Sequence, residues 1–266
     1  LIEMVISITV LGILSTSAAV FLRGPITSYF DTERRADLSD AGGLAMAKLK
    51  QEVSRAVPNS VRVTTVSATE FYLEFLPVVS EGRYRSVAPP SNPLDLGIPD
   101  TSFDVLGFPV QVNAGDWVVV NNYLAAPGGD VWAGNTRAAY TGVTGVVGTI
   151  TFLNHTFPAL PAPPPTVAPD RRFQIAGQPV TYACRAGELR RYSSYPFQAA
   201  QVVNSASPQI TAASNNDLLA DGITACRAAS FPGNLRRAQI VALALNFDNA
   251  GDRLNLYHVI RVEPLP

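Results

Sequence analysis

Leu1-Ile2-Glu3-Met4-Val5-Ile6-Ser7-Ile8-Thr9-Val10-Leu11-Gly12-Ile13-Leu14-Ser15-Thr16-Ser17-Ala18-Ala19-Val20-Phe21-Leu22 contains one charged residue, and its reading decides the rest. As a helix these residues would span roughly 33 Å, close to the thickness of a bilayer core. A carboxylate inside hydrocarbon costs about 2.5–3.5 kcal/mol even on mild insertion scales. A membrane helix with Glu3 near its end therefore calls for a cation. Because the chain has a single helix of this kind, that cation is expected on another molecule. A secretory signal peptide would be shorter, would open on basic residues and would close on a small-residue cleavage site. Ala18-Ala19 resembles such a site only loosely, and Glu3 argues against it.

Working outward, Arg23-Gly24-Pro25 is expected to kink or interrupt the helix, because proline lacks a backbone donor and clashes with the preceding turn. Beyond it, Leu38, Ala41, Ala45, Leu49, Val53 and Ala56 recur every three or four residues and make one apolar stripe. Arg34, Asp37, Asp40, Lys48, Lys50, Glu52 and Arg55 fall on the opposite face. Pro58-Asn59 should end this amphipathic helix, whose stripe should lie on a sheet. The division expected is a membrane or assembly helix at 1–25 and a globular part at 26–266, amphipathic helix over 26–57 and β-rich over 58–266.

Ser60–Val66 and Glu70–Leu76 read as strands. Ser80–Phe108 dissolves into Pro, Gly, Ser and Asn and reads as a long surface loop. Trp117–Asn121 and Val146–Phe152 look like strands of a β-rich insertion between about 100 and 157, with Tyr123–Thr141 a loop. The prolines of Phe157–Asp170 suggest a polyproline connector rather than a binding peptide. Gln239–Phe247 and Arg253–Val262, joined by Asp248-Asn249-Ala250-Gly251-Asp252, predict a hairpin with a turn suited to positive φ. Its acids could also be read as a calcium loop.

Composition narrows the function. Charged residues are 15% with a net charge of −1, which excludes a nucleic-acid footprint. The 21 prolines and 19 glycines among many Val, Thr and Tyr favour β-structure with loops over a helical bundle. Two cysteines, Cys184 and Cys226, suit a bridge if the domain is exported, worth roughly 4 kcal/mol by chain entropy; two buried free thiols are the other reading. No hydrolase, zincin or P-loop motif occurs, and Gly142, Gly145 and Gly148 have the wrong spacing for a dinucleotide. His155 and His258 read as packed or edge residues. Arg171-Arg172 and Arg190-Arg191 read as solvated or ion-paired, and Trp117 and Trp132 as packing residues rather than a sugar platform. No catalytic residue, metal or cofactor is expected.

Leu1-Ile2-Glu3-Met4-Val5-Ile6 followed by an apolar helix with Gly12 resembles the mature N-terminus of type IV pilins and type II secretion pseudopilins. Their mature chain begins with a methylated phenylalanine and carries the glutamate fifth. Here it is third, so the sequence is expected to start two residues inside the mature chain. Val20 stands where the family has its kinking proline, and Pro25 is expected to substitute. Arg35-Ala36-Asp37-Leu38-Ser39-Asp40-Ala41, Pro58-Asn59-Ser60-Val61-Arg62-Val63, Arg172-Phe173, Pro179–Cys184, Gly187–Tyr192, Leu218-Leu219-Ala220, Ala225-Cys226 and the closing hairpin are similar to MshO-like minor pilins of the mannose-sensitive haemagglutinin (MSHA) pilus.

The resemblance implies an α+β, pilin-like fold: a long N-terminal helix on an antiparallel sheet, with a β-rich insertion. It implies that Glu3 pairs with the N-terminal amine of a neighbouring subunit, while Gly12, Ser15, Thr16 and Ala19 let helices approach closely. The expected role is a minor pilin that primes assembly or sits at the tip; a type II secretion pseudopilin, or a tip adhesin binding a surface glycan, is the alternative. Implied partners are other minor and major pilins, the inner-membrane assembly machinery, prepilin peptidase acting on the precursor, and lipid before assembly. The location implied is the inner membrane of a Gram-negative bacterium, with a periplasmic domain, and later the cell surface.

Overall fold

The computed structural model describes residues 1–86, 91–122, 129–159, 171–233, 238–249 and 251–262. Helix α1 runs Ile2–Ser54 without a break. The interruption expected at Arg23-Gly24-Pro25 does not occur. One lost donor is a local penalty of about 3 kcal/mol, and the turns on either side are exposed, so no packed neighbour amplifies it. The Thr27 hydroxyl donates to the carbonyls of Arg23 (3.0 Å) and Gly24 (2.9 Å) beside the ring. The helix also stops before residue 57. Val57 N–H bonds the Leu76 carbonyl (2.8 Å) and Val78 N–H bonds that of Arg55 (3.1 Å), so this backbone is drawn into strand-like pairing.

Strands β1 (Arg62–Ser67), β2 (Glu70–Phe75), β3 (Val78–Tyr84), β4 (Asp100–Leu106), β5 (Val110–Val112), β6 (Trp117–Val120), β7 (Arg137–Ala139), β8 (Gly145–Val147) and β9 (Thr149–His155) follow. After them come β10 (Arg172–Ala176), β11 (Val180–Arg185), β12 (Glu188–Ser193), the short α2 (Pro208–Thr211), β13 (Asn215–Ala220), β14 (Ile223–Phe231), β15 (Gln239–Asn249) and β16 (Asp252–Val262). All the strand pairs are antiparallel. They form sheets in the orders β1-β2-β11-β12-β13, β7-β6-β10-β3-β4-β9, β14-β15-β16 and β5-β8. The layout is a long apolar N-terminal helix on antiparallel β-structure.

Two lobes result. In the first, the C-terminal turns of α1 cover Phe71, Leu73, Phe75, Tyr182 and Leu189 of the five-stranded sheet and Val241, Leu243, Leu245 and Phe247 of the three-stranded one. Leu38, Ala45, Leu49, Val53 and Ala56 take part as the stripe predicts. Ala41 is exposed instead, and Gly42 and Met46 are buried on that side. Gly42 is needed there, because a Cβ would lie 3.1 Å from Leu256 and 3.2 Å from Phe247. Cys184 of β11 and Cys226 of β14 form a disulfide that ties the two sheets inside this core.

The second lobe corrects the expected insertion. It spans β3 to β10, from Val78 to Ala176, rather than about 100–157, and Ser80–Phe108 is not one loop, since it holds most of β3 and all of β4. β7 likewise lies within Tyr123–Thr141, and the expected strand at Val146–Phe152 divides at Gly148 into β8 and β9. The lobe has its own core around Tyr84, Phe103, Phe152, Phe157 and Phe173. It enters and leaves through neighbours: β2 pairs with β11 in one sheet, and their continuations β3 and β10 pair in the other. Gly177 N–H bonds the Pro77 carbonyl (2.9 Å) at the crossing. The expected polyproline connector falls largely at 160–170, outside the described residues.

Candidate functional site

The first half of α1 touches nothing. Burial begins at Gly42, roughly 60 Å along the axis from Glu3. Every large apolar side chain from Leu1 to Leu14, and again Val20, Phe21, Leu22, Ile26, Tyr29 and Phe30, is exposed in the single chain. This is one helix long and apolar enough to cross a membrane. Glu3 is exposed and its carboxylate meets no cation among the described residues; only its carbonyl is engaged, by the Ser7 hydroxyl (2.9 Å). Gly12, Thr16 and Ala19 share one face by helical period, with Thr16 Oγ1 turned back onto the carbonyls of Gly12 (3.0 Å) and Ile13 (2.9 Å). The same period places Glu3 on the far side from that face, so one neighbouring helix cannot lie against both.

The domain's most concentrated polar chemistry sits where the lobes meet. Glu74 of β2 is fully buried, and burial pushes its carboxyl above the ordinary range while the Arg62 guanidinium pulls it down. Arg62 of β1 ties the carboxylate to three carbonyls: Nε donates to Glu74 (2.8 Å), Nη1 to the Ala199 carbonyl (2.6 Å), and Nη2 to those of Gln198 and Ala200 (both 2.9 Å). Tyr195 hydroxyl adds a bond to Glu74 (3.2 Å) and meets Thr181 Oγ1 at 2.7 Å. Burial, first, and the Glu74 charge raise that phenol above its usual value. A carboxylate in the apolar run Phe71-Tyr72-Leu73-Glu74-Phe75 was the sequence signal for this knot, because such a group persists in a core only when paired.

Trp132 packs its indole between Arg62, 3.6 Å from the ring centroid, and Phe197, stacked at 5.1 Å, while its N–H donates to the Ser60 carbonyl (2.8 Å). Trp117 lies against Phe197 (5.5 Å) and Arg137 (4.3 Å). Both indoles are packing residues in a cation–π seam, and neither face of Trp132 is left for a sugar. A groove of about 820 Å³ opens beside this seam, lined by Arg62, Thr65, Asp130, Trp132, Ser230 and Gln239 among others.

The other singled-out residues are dispersed. His155 donates to the Asn135 carbonyl (2.9 Å) and packs edge-on against Phe157. His258 is half-buried opposite Leu243 in the closing hairpin. Arg190 pairs with Glu188 (2.6 Å) and Arg191 with Glu52 of α1 (2.9 Å). At the hairpin tip Gly251 takes φ 94°, Asp248 accepts from the Gly251 amide (3.1 Å) and from Arg253 (3.2 Å), and Asp252 pairs with Arg35 of α1 (2.6 Å). That is a turn that clips the hairpin to the helix. Among the described residues no group of three or more His, Cys, Asp or Glu is placed to hold a metal. No protein-family model, curated protein or solved structure matches this chain.

Proposed function

We propose that the chain is a minor pilin: a non-enzymatic subunit that is held in a membrane by α1 and then enters a filament through that helix. The observation that carries this reading is the uncovered N-terminal half of α1. Its large apolar side chains and its one unpaired carboxylate must be enclosed by lipid or by other helices. Lipid can cover Leu, Ile, Val and Phe. It does not neutralise Glu3, and a cation from an adjacent subunit, the N-terminal amine in the pilin scheme, does. The small residues on the opposite face then serve a different neighbour, so each helix would sit between others in a bundle. The disulfide-tied first lobe suits a domain exposed to an oxidising compartment.

Glu3→Gln tests the role. In a strain that needs this protein, the variant should fold with its disulfide intact, remain in the membrane fraction, and be lost from sheared surface filaments. Wild-type amounts in the filament would refute the assignment. Recovery of the wild-type chain only from envelope fractions, in cells that secrete through a type II system, would move it to the pseudopilins.

A further inference from the structure

α1 and the β14-β15-β16 sheet form two layers; between residues 30 and 44 the outer side of the helix carries three carboxylates, and the outer side of the sheet is flanked by arginines. The helix buries Gly42, Ala45, Met46 and Leu49. Its period turns Phe30, Glu33, Asp37, Asp40 and Leu44 to the reverse side, where all five are exposed. Phe30 and Leu44 at the two ends are 55% and 73% exposed. The three carboxylates between them meet no cation among the described residues.

On the sheet, strand alternation sends Cys226, Leu245 and Leu256 inward and the neighbouring residues outward. Cross-strand rows on the outer face read Phe231–Ile240–Arg261, Ala229–Ala242–Val259 and Arg227–Ala244–Tyr257. Phe231, Ile240, Tyr257 and Val259 are exposed there, and Tyr257 is 68% so. Arg227 has no acceptor among the described residues, and Arg253 on the same face holds Asp248. The helix face is about 21 Å long from Phe30 to Leu44, and β16 is about 26 Å long from Arg253 to Arg261.

We propose that the acidic back of α1 in one copy seats on the arginine-flanked outer face of the β14-β15-β16 sheet in a second copy; this names a partner surface for the filament reading and rests on it. Two helix backs placed together would oppose carboxylates, and two sheet faces would oppose guanidiniums, so like-to-like pairing is disfavoured. Only the unlike pairing matches charge with charge and apolar ends with an apolar centre. Because the two surfaces lie on opposite sides of one subunit, the contact is head-to-tail.

The test uses the full chain in membranes with a photo-crosslinking phenylalanine analogue at position 257. The expected product is an adduct of two copies whose linked peptide lies within residues 30–44. Asp37→Arg with Asp40→Arg should lower its yield at least about tenfold. Co-expression of that copy, without the analogue, with one that carries both Arg227→Glu and the analogue at position 257 should restore the adduct. A link to other peptides or other chains only, no adduct, or no effect of charge reversal overturns the proposal. The filament reading fails separately. Loss of the adduct while wild-type chain still enters filaments and Glu3→Gln does not leaves the pilin assignment standing and removes this contact.

Discussion

The two lobes are held by different means. The first joins three elements distant in sequence: α1, the five-stranded sheet and the closing hairpin. It has a cross-sheet disulfide and, on β1 and β2, a buried ion pair. The second is built from one continuous stretch, and its described core relies on aromatic rings, with Phe103 meeting Phe173 at 5.0 Å, Phe152 at 5.9 Å and Tyr84 at 6.1 Å. Long-range assembly leaves large loop-closure entropy to offset, and a covalent link reduces it. A locally closed lobe has less to offset and can stand on packing.

This contrast can be broken most forcefully at Phe103. Phe103→Ala should cost about 3–5 kcal/mol, and hydrogen exchange should show protection lost in β3, β4, β9 and β10 while β14–β16 keep theirs. Equal loss in both lobes would mean one cooperative unit. Replacing Cys184 and Cys226 together by alanine should cost about 2–4 kcal/mol, with the loss falling first on β11 and β14; a chemical-denaturation midpoint shared by both lobes would contradict the division.

A third pair of variants sharpens where α1 belongs. Gly42→Leu would crowd Leu256 and Phe247 and cost about 1–3 kcal/mol, whereas Gly43→Ala meets nothing within 4 Å and should gain about 0.5–1 kcal/mol from helix propensity. Thermal melts of the two variants should move in opposite directions.

The smallest effect concerns acid. Asp104 accepts from the Asn92 amide (2.9 Å) and the Thr149 hydroxyl (2.9 Å), which hold its carboxyl below the ordinary aspartate value. Its stabilising contribution is therefore present above the unfolded value of 3.8 and is lost as pH falls through the folded one. Lowering pH from about 5 to 3 should reduce the protection of the Asn92 amide, measured relative to its intrinsic exchange rate at each pH, in wild type and leave protection little changed in Asp104→Asn.

Much of the first lobe was legible because its signals are local or covalent. The apolar run, the stripe at Ala45, Leu49 and Val53, the hairpin around Gly251 and the two cysteines each announce themselves within a few residues. The second lobe was legible only as a β-rich insertion with a strand at Trp117–Asn121, and its first strands were hidden for a physical reason. β3 reads Val-Val-Ser-Glu-Gly-Arg-Tyr, and β4 buries mainly Phe103 and Val105 among polar neighbours. Their stability comes from pairing with strands far along the chain, β3 with β10 and β4 with β9, through backbone groups that every residue carries. At Pro25 the expected interruption fails, since a long helix can absorb one missing donor. At the site, Glu3 was visible as a charge in an apolar segment. The Arg62–Glu74–Tyr195 knot depended on three separated strands and loops converging.

The side-by-side crossings at Leu76-Pro77 and Ala176-Gly177 bear on the order of events in folding. β2 and β11, if they met unaided, would have to close a loop of roughly a hundred residues. Once the inserted strands have zipped, those two ends already lie one strand spacing apart, and the sheet beneath the helix inherits its central pair already aligned.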